Sequence, residues 1–322
     1  MGGGGAGGGI SHQPTRSDKE LGKKQEELRE KTLDQLKQVS KEQRIKEMIV
    51  SSNPDEIGIV YLNAGQGDAT IIRLPNGKVM VIDCNIEDSP ENIVHYLEKA
   101  GIKNIDYLVI THPHADHMSG VKEIADHFEV GEVWTTDFKR FKNEESPESY
   151  EKYKEYKKGL GKLKRDGTQI KTPTASNEPE IKDKKLEVRI LGPSKTVQGA
   201  NEDIHNESLA IQIKFGKTSF VFTGDATNEQ QERMLKYYPI ERTTIWHASH
   251  HGSVEGANAD VMEIVKPKYT VIPVGKDNIH DHPHDEAMGI YDKSTQKKVY
   301  RTDKGNIGFR FDADGESIEV QE

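Results

Sequence analysis

Short apolar segments alternate with polar turns along most of the chain, and this pattern predicts a fold that mixes strands and helices. Segments rich in β-branched side chains and bounded by glycine or proline predict strands. In the first half of the chain these are IGIVYLN, ATIIRL, KVMVID, IDYLVIT and EVWTTD. The intervening ENIVHYLEKAG and GVKEIADHFEV predict helices, the first of which ends at Gly101. The alternation is typical of helices packed outside sheets.

The second half of the chain continues the pattern after residue 185. The segment LEVRILGP predicts a strand, and SLAIQIKFGKTSFVFTGD predicts a hairpin that turns at Gly216 and Lys217. Further strands are expected in TTIWHA, KYTVIPV and NIGFRFD. Two strand-rich halves are thus separated by residues 137–185, although no repeat of fixed period is visible.

The N-terminal segment has a different pattern. Residues 1–16 are rich in glycine and predict a flexible tail. Residues 17–53 predict a charged helix, and residues 54–322 predict the folded domain. The helix has a thin apolar stripe that includes Leu28 and Leu36. Either this stripe docks on the rest of the protein, or residues 17–50 bind a protein partner or a second copy of the chain.

The composition argues against disulfide-rich, membrane-spanning and secreted proteins. Charged residues make up 31% of the chain, the net charge is −9, and Cys84 is the single cysteine, which excludes a disulfide framework. The sequence has no apolar run near the ~20 residues of a transmembrane helix and no pattern typical of a secretory signal. We therefore expect a cytoplasmic protein without membrane contact. The acidic balance argues against a general polyanion-binding surface.

The segment THPHADHMSG contains the densest group of metal-ligand side chains. His112, His114, Asp116 and His117 fall within six positions, directly after a predicted strand. Two residues apart in an extended segment, His112 and His114 point to the same side. Imidazole and carboxylate groups together suit a divalent ion such as zinc or manganese. Because one ion rarely takes so many ligands from a single turn, we expect two divalent metal ions.

Three later clusters also follow predicted strands. In FTGDAT, Asp225 could bridge two cations, and the glycine before it permits a close backbone approach. In WHASHHGS, either His250 or His251 is expected to be a metal ligand, with a preference for His250, and the other would face the substrate. In HDHPHDE, His282 and His284 could protonate a leaving group or bind a phosphate oxygen, or they could belong to a surface loop.

These motifs resemble those of the metallo-β-lactamase-fold hydrolases. The segment HPHADH matches the His-x-His-x-Asp-His signature of that superfamily. The segments NAGQGDATIIRLPNGKVMVIDCN, HNESLAIQIKFGKTSFVFTGD and ASHHGS resemble the hydrolase domain of ComEC/Rec2 competence proteins. The resemblance covers roughly residues 55–320. It implies a mixed α/β (α+β) fold, a four-layer αβ/βα sandwich with an N-terminal helical extension, and a binuclear metal site at one edge between the sheets.

The resemblance also implies a role for each matching residue. Asp225 would bridge the two ions, and Asp68 and Asp83 would orient the histidine loop. Many family members carry a further histidine ligand before the bridging aspartate, whereas the competence-type proteins carry asparagine, here Asn206. The adjacent His205 could substitute, so the third protein ligand of the first ion stays open. The implied metal ligands are His112, His114, Asp116, His117, Asp225 and His250 or His251.

The chemistry implied by this site is hydrolysis. Two divalent ions lower the pKa of a bridging water toward neutrality, so that hydroxide can attack the substrate. Asp116 can accept a proton in this step. His251, His282 or His284 could stabilise the developing charge or protonate the leaving oxygen.

The fold alone does not select a substrate. The competence-type motifs imply a phosphodiesterase or nuclease that acts on DNA or RNA. Residues 138–165 agree with this, because they contain ten Lys or Arg and five Glu, a net charge of +5. Either the tyrosines of this segment stack on bases, or they pack on the protein. The residues expected to contact nucleic acid are Lys139, Arg140, Tyr150, Tyr153 and Tyr156.

The sequence is also compatible with two other functions. One is a small-molecule hydrolase of the same fold that acts on a lactone, a thioester or a cyclic nucleotide. The other is a non-catalytic scaffold that recruits a partner through the N-terminal helix.

Overall fold

Two β-sheets face each other, and helices cover the outer face of each sheet. This arrangement is seen in a computed structural model that describes residues 16–51, 53–136, 147–175, 177, 181, 185–194, 204–237, 240, 242–315 and 317–321. The four-layer sandwich with an N-terminal helix that the motifs implied is confirmed.

The first sheet contains the N-terminal strands and the two last strands of the chain. Its strand order is β14-β13-β1-β2-β3-β4-β5-β6, with β3 to β6 parallel to one another. The strands are β1 (Glu56–Tyr61), β2 (Ala69–Arg73), β3 (Val79–Cys84), β4 (Asn104–Ile110), β5 (Glu129–Thr135), β6 (Gln169–Lys171), β13 (Ile307–Asp312) and β14 (Ser317–Gln321).

The second sheet is built from the strands between these. Its order is β12-β11-β10-β9-β8-β7, with β9 to β12 parallel and β7 to β9 antiparallel. The strands are β7 (Leu186–Gly192), β8 (Ala210–Phe215), β9 (Thr218–Phe222), β10 (Ile245–His247), β11 (Tyr269–Ile272) and β12 (Lys298–Arg301).

The helices connect the parallel strands. Where the sequence predicted a helix end, Gly101 follows the C-cap residue Ala100 and has a φ of +73°. The helices are α1 (Arg16–Val50), α2 (Ile93–Lys99), α3 (Ala115–Met118), α4 (Val121–His127), α5 (Pro147–Arg165), α6 (Asn228–Tyr237), α7 (Ala259–Val265) and α8 (Asp285–Ser294). In the described part of the chain, none of them is both long and apolar enough to cross a membrane.

Successive side chains along each strand point to opposite faces of the sheet. The buried apolar residues therefore form three large clusters, one between the sheets and one on the outer face of each sheet. Along β4, Tyr107 and Val109 face the second sheet, whereas Leu108 and Ile110 face the outer helices. In β9, Phe222 faces the first sheet and Val221 faces the helices on the other side. The strands are apolar on both faces because both faces of each sheet are covered.

Three strands were not singled out by the pattern. They are β6, β12 and β14, of three to five residues each. Such short segments with charged residues carry little periodic signal, and pairing with longer neighbours stabilises them.

The described part of the chain divides into two compact units within helix α1, between Gln43 and Arg44. The last turns of this helix contribute Ile45, Met48 and Ile49 to the core that covers the first sheet. In its earlier part, Leu28 and Leu36 are exposed. The helical prediction is confirmed, but the folded unit begins inside the helix.

Truncating Met48 tests the contribution of these last turns. Met48 is 1% exposed, and a Cβ on Gly308 would lie 2.5 Å from its sulfur. We expect Met48→Ala to lower the free energy of unfolding by about 2–5 kcal/mol, because it leaves a cavity in a packed core. Urea denaturation measures the change. Leu36→Ala, at a side chain that is 62% exposed, should change it by less than about 0.5 kcal/mol. Equal losses in the two variants would contradict the packing described here.

Candidate metal centre

The predicted ligand clusters meet at one edge of the sandwich. The loops after β4, β9 and β10 leave the carboxyl ends of parallel strands, and these ends lie together. The backbone ties the loops to one another. The Leu209 amide donates to the Thr111 carbonyl at 2.8 Å, and the His250 amide donates to the Gly224 carbonyl at 3.3 Å.

Gly224 allows the loops of the two sheets to approach. Its φ is +51°, and a Cβ at this position would lie 2.7 Å from the side chain of Thr111. A larger residue would push the histidine loop away from Asp225. The close approach expected from the TGD segment is therefore present.

The first donor group combines side chains from three loops. His112, His114, His205 and Asp225 each offer one ligand atom, and these atoms lie within 4.8 Å of one another. The Nε2 atom of His112 is 3.0 Å from Nδ1 of His114 and 3.7 Å from a carboxylate oxygen of Asp225. Of the two neighbouring residues between which the sequence left the choice open, His205 belongs to this group and Asn206 does not.

The position of His205 depends on packing between distant segments. The neighbouring residue, Ile204, is buried and packs against Tyr150 and Tyr153 of α5. On the other side, the imidazole of His250 stacks on that of His205 with ring centroids 4.5 Å apart. Neither contact has a local sequence signal, which is why the pattern alone did not select His205 over Asn206.

The second donor group contains Asp116, His117 and His251. The Nε2 atom of His251 is 3.1 Å from Oδ2 of Asp116, and Nε2 of His117 is 3.8 Å from the same oxygen. Asp225 lies beside this group as well. Its carboxylate oxygens are 3.3 Å from Nε2 of His117 and 3.8 Å from Nε2 of His251. Asp225 therefore stands between the two groups.

The structure places His251, and not His250, in this donor group, whereas the sequence pattern led to a preference for His250 as the ligand. The Nδ1 of His251 lies 2.9 Å from the Pro273 carbonyl and donates to it, so Nε2 points at Asp116. His250 instead stacks on His205. Both His250 and His251 have positive φ, 51° and 55°, a strained conformation for histidine that is common at functional sites.

Two buried carboxylates hold His117. Oδ2 of Asp83 is 2.9 Å from Nδ1 of His117, and Oδ2 of Asp68 is 3.5 Å from the same nitrogen. Thr111 fixes Asp83 by donating from its amide and its hydroxyl at 2.8 and 2.7 Å. This arrangement directs the other nitrogen of His117, Nε2, toward Asp116 and Asp225. It fits the orienting role that the resemblance implied for Asp68 and Asp83.

The charges at the site are unevenly distributed. Burial and the neighbouring His117 hold the pKa of His112 well below its usual value, so that ring is neutral. Burial acts in the same direction on His117, but Asp225 and Asp116 outweigh it and raise the pKa of His117 well above normal. Similarly, Asp225 raises the pKa of His251 to about 9 against the effect of burial. The carboxylates thus attract positive charge to this position.

The donor set fits divalent metal ions. Within the described residues, Nε2 of His117 and Oδ1 of Asp225 are buried and have no hydrogen-bond partner. A buried polar atom without a partner costs about 1–3 kcal/mol. A cation would satisfy both atoms, and imidazole with carboxylate is a ligand set that zinc, manganese and iron accept.

The remaining predicted residues surround this centre at different distances. Asn206 accepts a hydrogen bond from Thr227 and is not in either donor group. The ring of His282 lies 5.6 Å from that of His250, and burial together with His251 lowers the pKa of His282 to about 4. His284 accepts a hydrogen bond from the Val254 amide through Nδ1 at 3.1 Å.

The predicted nucleic-acid contacts are only partly available. Tyr156 is 4% exposed, and its hydroxyl is hydrogen-bonded to that of Thr135, so its ring cannot stack on a base. That part of the prediction is wrong, because this face of α5 packs on the first sheet. Tyr150 and Tyr153 are half-buried. Lys139 and Arg140 lie outside the described residues.

Comparison with known proteins gives relatives over most of the chain. ComE operon protein 3 of Bacillus subtilis (strain 168) is 24% identical over 268 residues, which are 78% of this chain and 32% of that protein. Competence protein ComA of Neisseria gonorrhoeae is 23% identical over 250 residues, 77% of this chain and 31% of that protein. The chain therefore spans about a third of the length of these relatives.

Among solved structures, that of CmlA, a diiron beta-hydroxylase from Streptomyces venezuelae, matches with a TM-score of 0.50 at 15% identity. The match covers 80% of this chain and 55% of CmlA, and it supports the fold alone. The sequence profile of the Metallo-beta-lactamase superfamily matches residues 62–276, a range that contains the histidine loop, Asp225 and His251. With the sandwich and the two donor groups at its edge, this match establishes that the chain belongs to the metallo-beta-lactamase superfamily.

Proposed function

We propose that this chain is a metal-dependent phosphodiesterase that cleaves DNA or RNA. The observation that carries the proposal is the position of Asp225. It lies 3.7 Å from His112 of one donor group and 3.3 Å from His117 of the other. Paired sites of this kind are used for phosphoryl transfer because two ions can stabilise both the attacking and the leaving oxygen. The relatives support the substrate class, since the name of ComA describes a competence protein.

In this proposal, each donor group holds one divalent ion, and Asp225 contributes to both. His112, His114 and His205 would hold the first ion. Asp116, His117 and His251 would hold the second. When bound, the ions supply an activated water nucleophile and polarise the oxygen of the substrate.

Asp116 is the carboxylate best placed to contact the attacking water. Its side chain is 34% exposed, whereas the side chains of Asp68, Asp83 and Asp225 are at most 3% exposed. Burial would raise the pKa of Asp116, but His117 and His251 outweigh this effect and keep it well below normal. The ionised carboxylate can therefore accept a hydrogen bond from water and a proton as the bond to phosphorus forms.

The ring of His282 lies beside the second donor group, and the ring of His284 lies beside that of His282. The rings of His282 and His251 are 6.3 Å apart, and those of His282 and His284 are 4.8 Å apart. With its pKa lowered to about 4, His282 is neutral at pH 7. It would act there as a neutral N–H donor to a phosphate oxygen.

Removing the metal tests the proposal. The purified protein is incubated with labelled single- and double-stranded DNA and RNA, with zinc or manganese, and with EDTA. We expect cleavage that EDTA abolishes, with a loss on the order of 10³-fold or more, because the ions supply several kcal/mol of transition-state stabilisation. Added metal should restore the activity.

Other results would contradict the proposal. Hydrolysis of a lactone, a thioester or a cyclic nucleotide without cleavage of nucleic acid would support a small-molecule hydrolase. A protein that retains no metal and cleaves none of these substrates would support the scaffold hypothesis. In that case, binding of a partner that is lost on deletion of residues 17–50 would identify the helix as the recruiting element.

A further inference from the structure

A cavity opens at the same sheet edge as the donor groups. It has a volume of about 680 Å³ and lies between α5 and the carboxyl ends of β5 and β6. Because β4, β5 and β6 are parallel, these ends lie on the same side as the end of β4, where the histidine loop begins. Pro113, between His112 and His114, forms part of the wall. The volume is in the range of ligand-binding sites.

The lining of this cavity is cationic, although the protein carries a net charge of −9. Lys157, Lys164 and Lys171 line it, and none of the described lining residues is acidic. Lys171 is paired with Glu132 at 2.7 Å. Lys157 and Lys164 are exposed, and neither has an ion pair with any residue that the structure describes. Seven residues apart on α5, they lie two turns apart on one face of the helix.

A buried hydroxyl gives a second, independent indication of a ligand. Thr136 follows β5 and lines the cavity. It is 9% exposed, and its Oγ1 has no hydrogen-bond partner among the described groups. By contrast, the neighbouring Thr135 is hydrogen-bonded to Tyr156 at 2.8 Å. Because a buried hydroxyl without a partner is costly, the free group at Thr136 is suited to donate to an acceptor on a ligand.

We propose that this cavity is a phosphate-binding subsite for a single-stranded nucleic acid. It would hold backbone phosphates next to the bond that is cleaved, so the inference rests on the proposed function. The ammonium groups of Lys157 and Lys164 neutralise phosphate charge, and the hydroxyl of Thr136 donates to a phosphate oxygen. A cavity of this volume has room for part of one strand but not for a duplex.

Binding of fluorescent oligonucleotides to the full chain tests the subsite. Fluorescence anisotropy is recorded in EDTA, which prevents cleavage, with single-stranded DNA, single-stranded RNA and duplex DNA at several salt concentrations. We expect the double variant Lys157→Gln/Lys164→Gln to raise the Kd for single strands about tenfold. The slope of log K against log salt should fall by about 1.4, since each lost phosphate contact on a single strand removes about 0.7.

A matched control removes two charges from the same helix. Lys154 and Lys158 pair with Glu151 and Glu155 and do not line the cavity. The variant Lys154→Gln/Lys158→Gln should change the Kd less than about twofold. Thr136→Val should raise the Kd, and Thr136→Ser, which keeps the hydroxyl, should not. Circular dichroism and thermal unfolding verify that each variant is folded.

The outcomes separate this inference from the proposed function. Equal weakening by both double variants, stronger binding of duplex than of single strands, or no binding by the unmodified protein would overturn the subsite. Binding of either DNA or RNA that depends on Lys157, Lys164 and Thr136 would support it. Since binding is measured without metal, cleavage without this binding would leave the proposed function intact. Binding without metal-dependent cleavage would contradict only the proposed function.

Discussion

Replacing Asp225 with asparagine is expected to lower kcat/KM for phosphodiester hydrolysis by on the order of 10³-fold and to reduce the amount of metal that the protein retains. Asp225 is 2% exposed and lies within 4 Å of His112, His117 and His251, so its carboxylate serves both donor groups. Asparagine keeps the size of the side chain but removes the negative charge that two cations would share. Steady-state kinetics and elemental analysis of the purified protein measure the two effects.

A surface aspartate provides the control. Asp126 on α4 is 43% exposed, pairs with Lys122 and belongs to neither donor group. Asp126→Asn should leave both the activity and the metal content unchanged. If Asp225→Asn retained full activity and the normal amount of metal, a centre shared by the two donor groups would be excluded.

The second large effect is expected at His251, compared with its neighbour His250. His251→Ala should lower metal affinity and kcat/KM by at least on the order of 10²-fold, because its Nε2 belongs to the donor group with Asp116 and His117. His250→Ala should cost about tenfold or less, since His250 supports His205 by stacking. Competition with a coloured chelator measures the affinity, and kinetics measure the activity.

The paired design gives a direct answer, because both variants remove the same side chain at adjacent positions. A larger loss for His250→Ala would return His250 to the role that the sequence pattern preferred. Equal losses would mean that the turn 249–252 acts as a unit, in which the strained backbone at both histidines is as important as either ring.

The fold could be predicted well from the sequence where the periodic signal is long. Strands such as β1, β3 and β4 have four or more consecutive buried positions, and the hairpin β8–β9 turns where Gly216 and Lys217 predicted it. The shorter β6, β12 and β14 were not singled out. The end of α1 at Val50 agrees with the predicted helix, but the sequence left open whether the helix docks on the protein, and only its last turns do so.

The loops of the candidate site could be predicted from the sequence, but not every ligand residue within them. The histidine loop and Asp225 could be found because their donors follow apolar strands at close spacing. The local sequence could not show which residue of each neighbouring pair, His205 or Asn206 and His250 or His251, belongs to a donor group. Whether Tyr156 stacks on bases or packs on the protein also stayed open, since helical spacing does not say which face of α5 packs on the protein; the structure shows that Tyr156 is buried.

The sequence by itself therefore determined the order of strands and helices and the loops that carry the ligand side chains, since both follow from local periodicity and spacing. Only the tertiary structure decided which imidazoles converge with Asp225. That choice depends on contacts between segments far apart in the chain, such as Gly224 against Thr111 and Ile204 against Tyr150 and Tyr153. It also brought the lysines of α5 beside the histidine loop, because parallel strands end at a common edge.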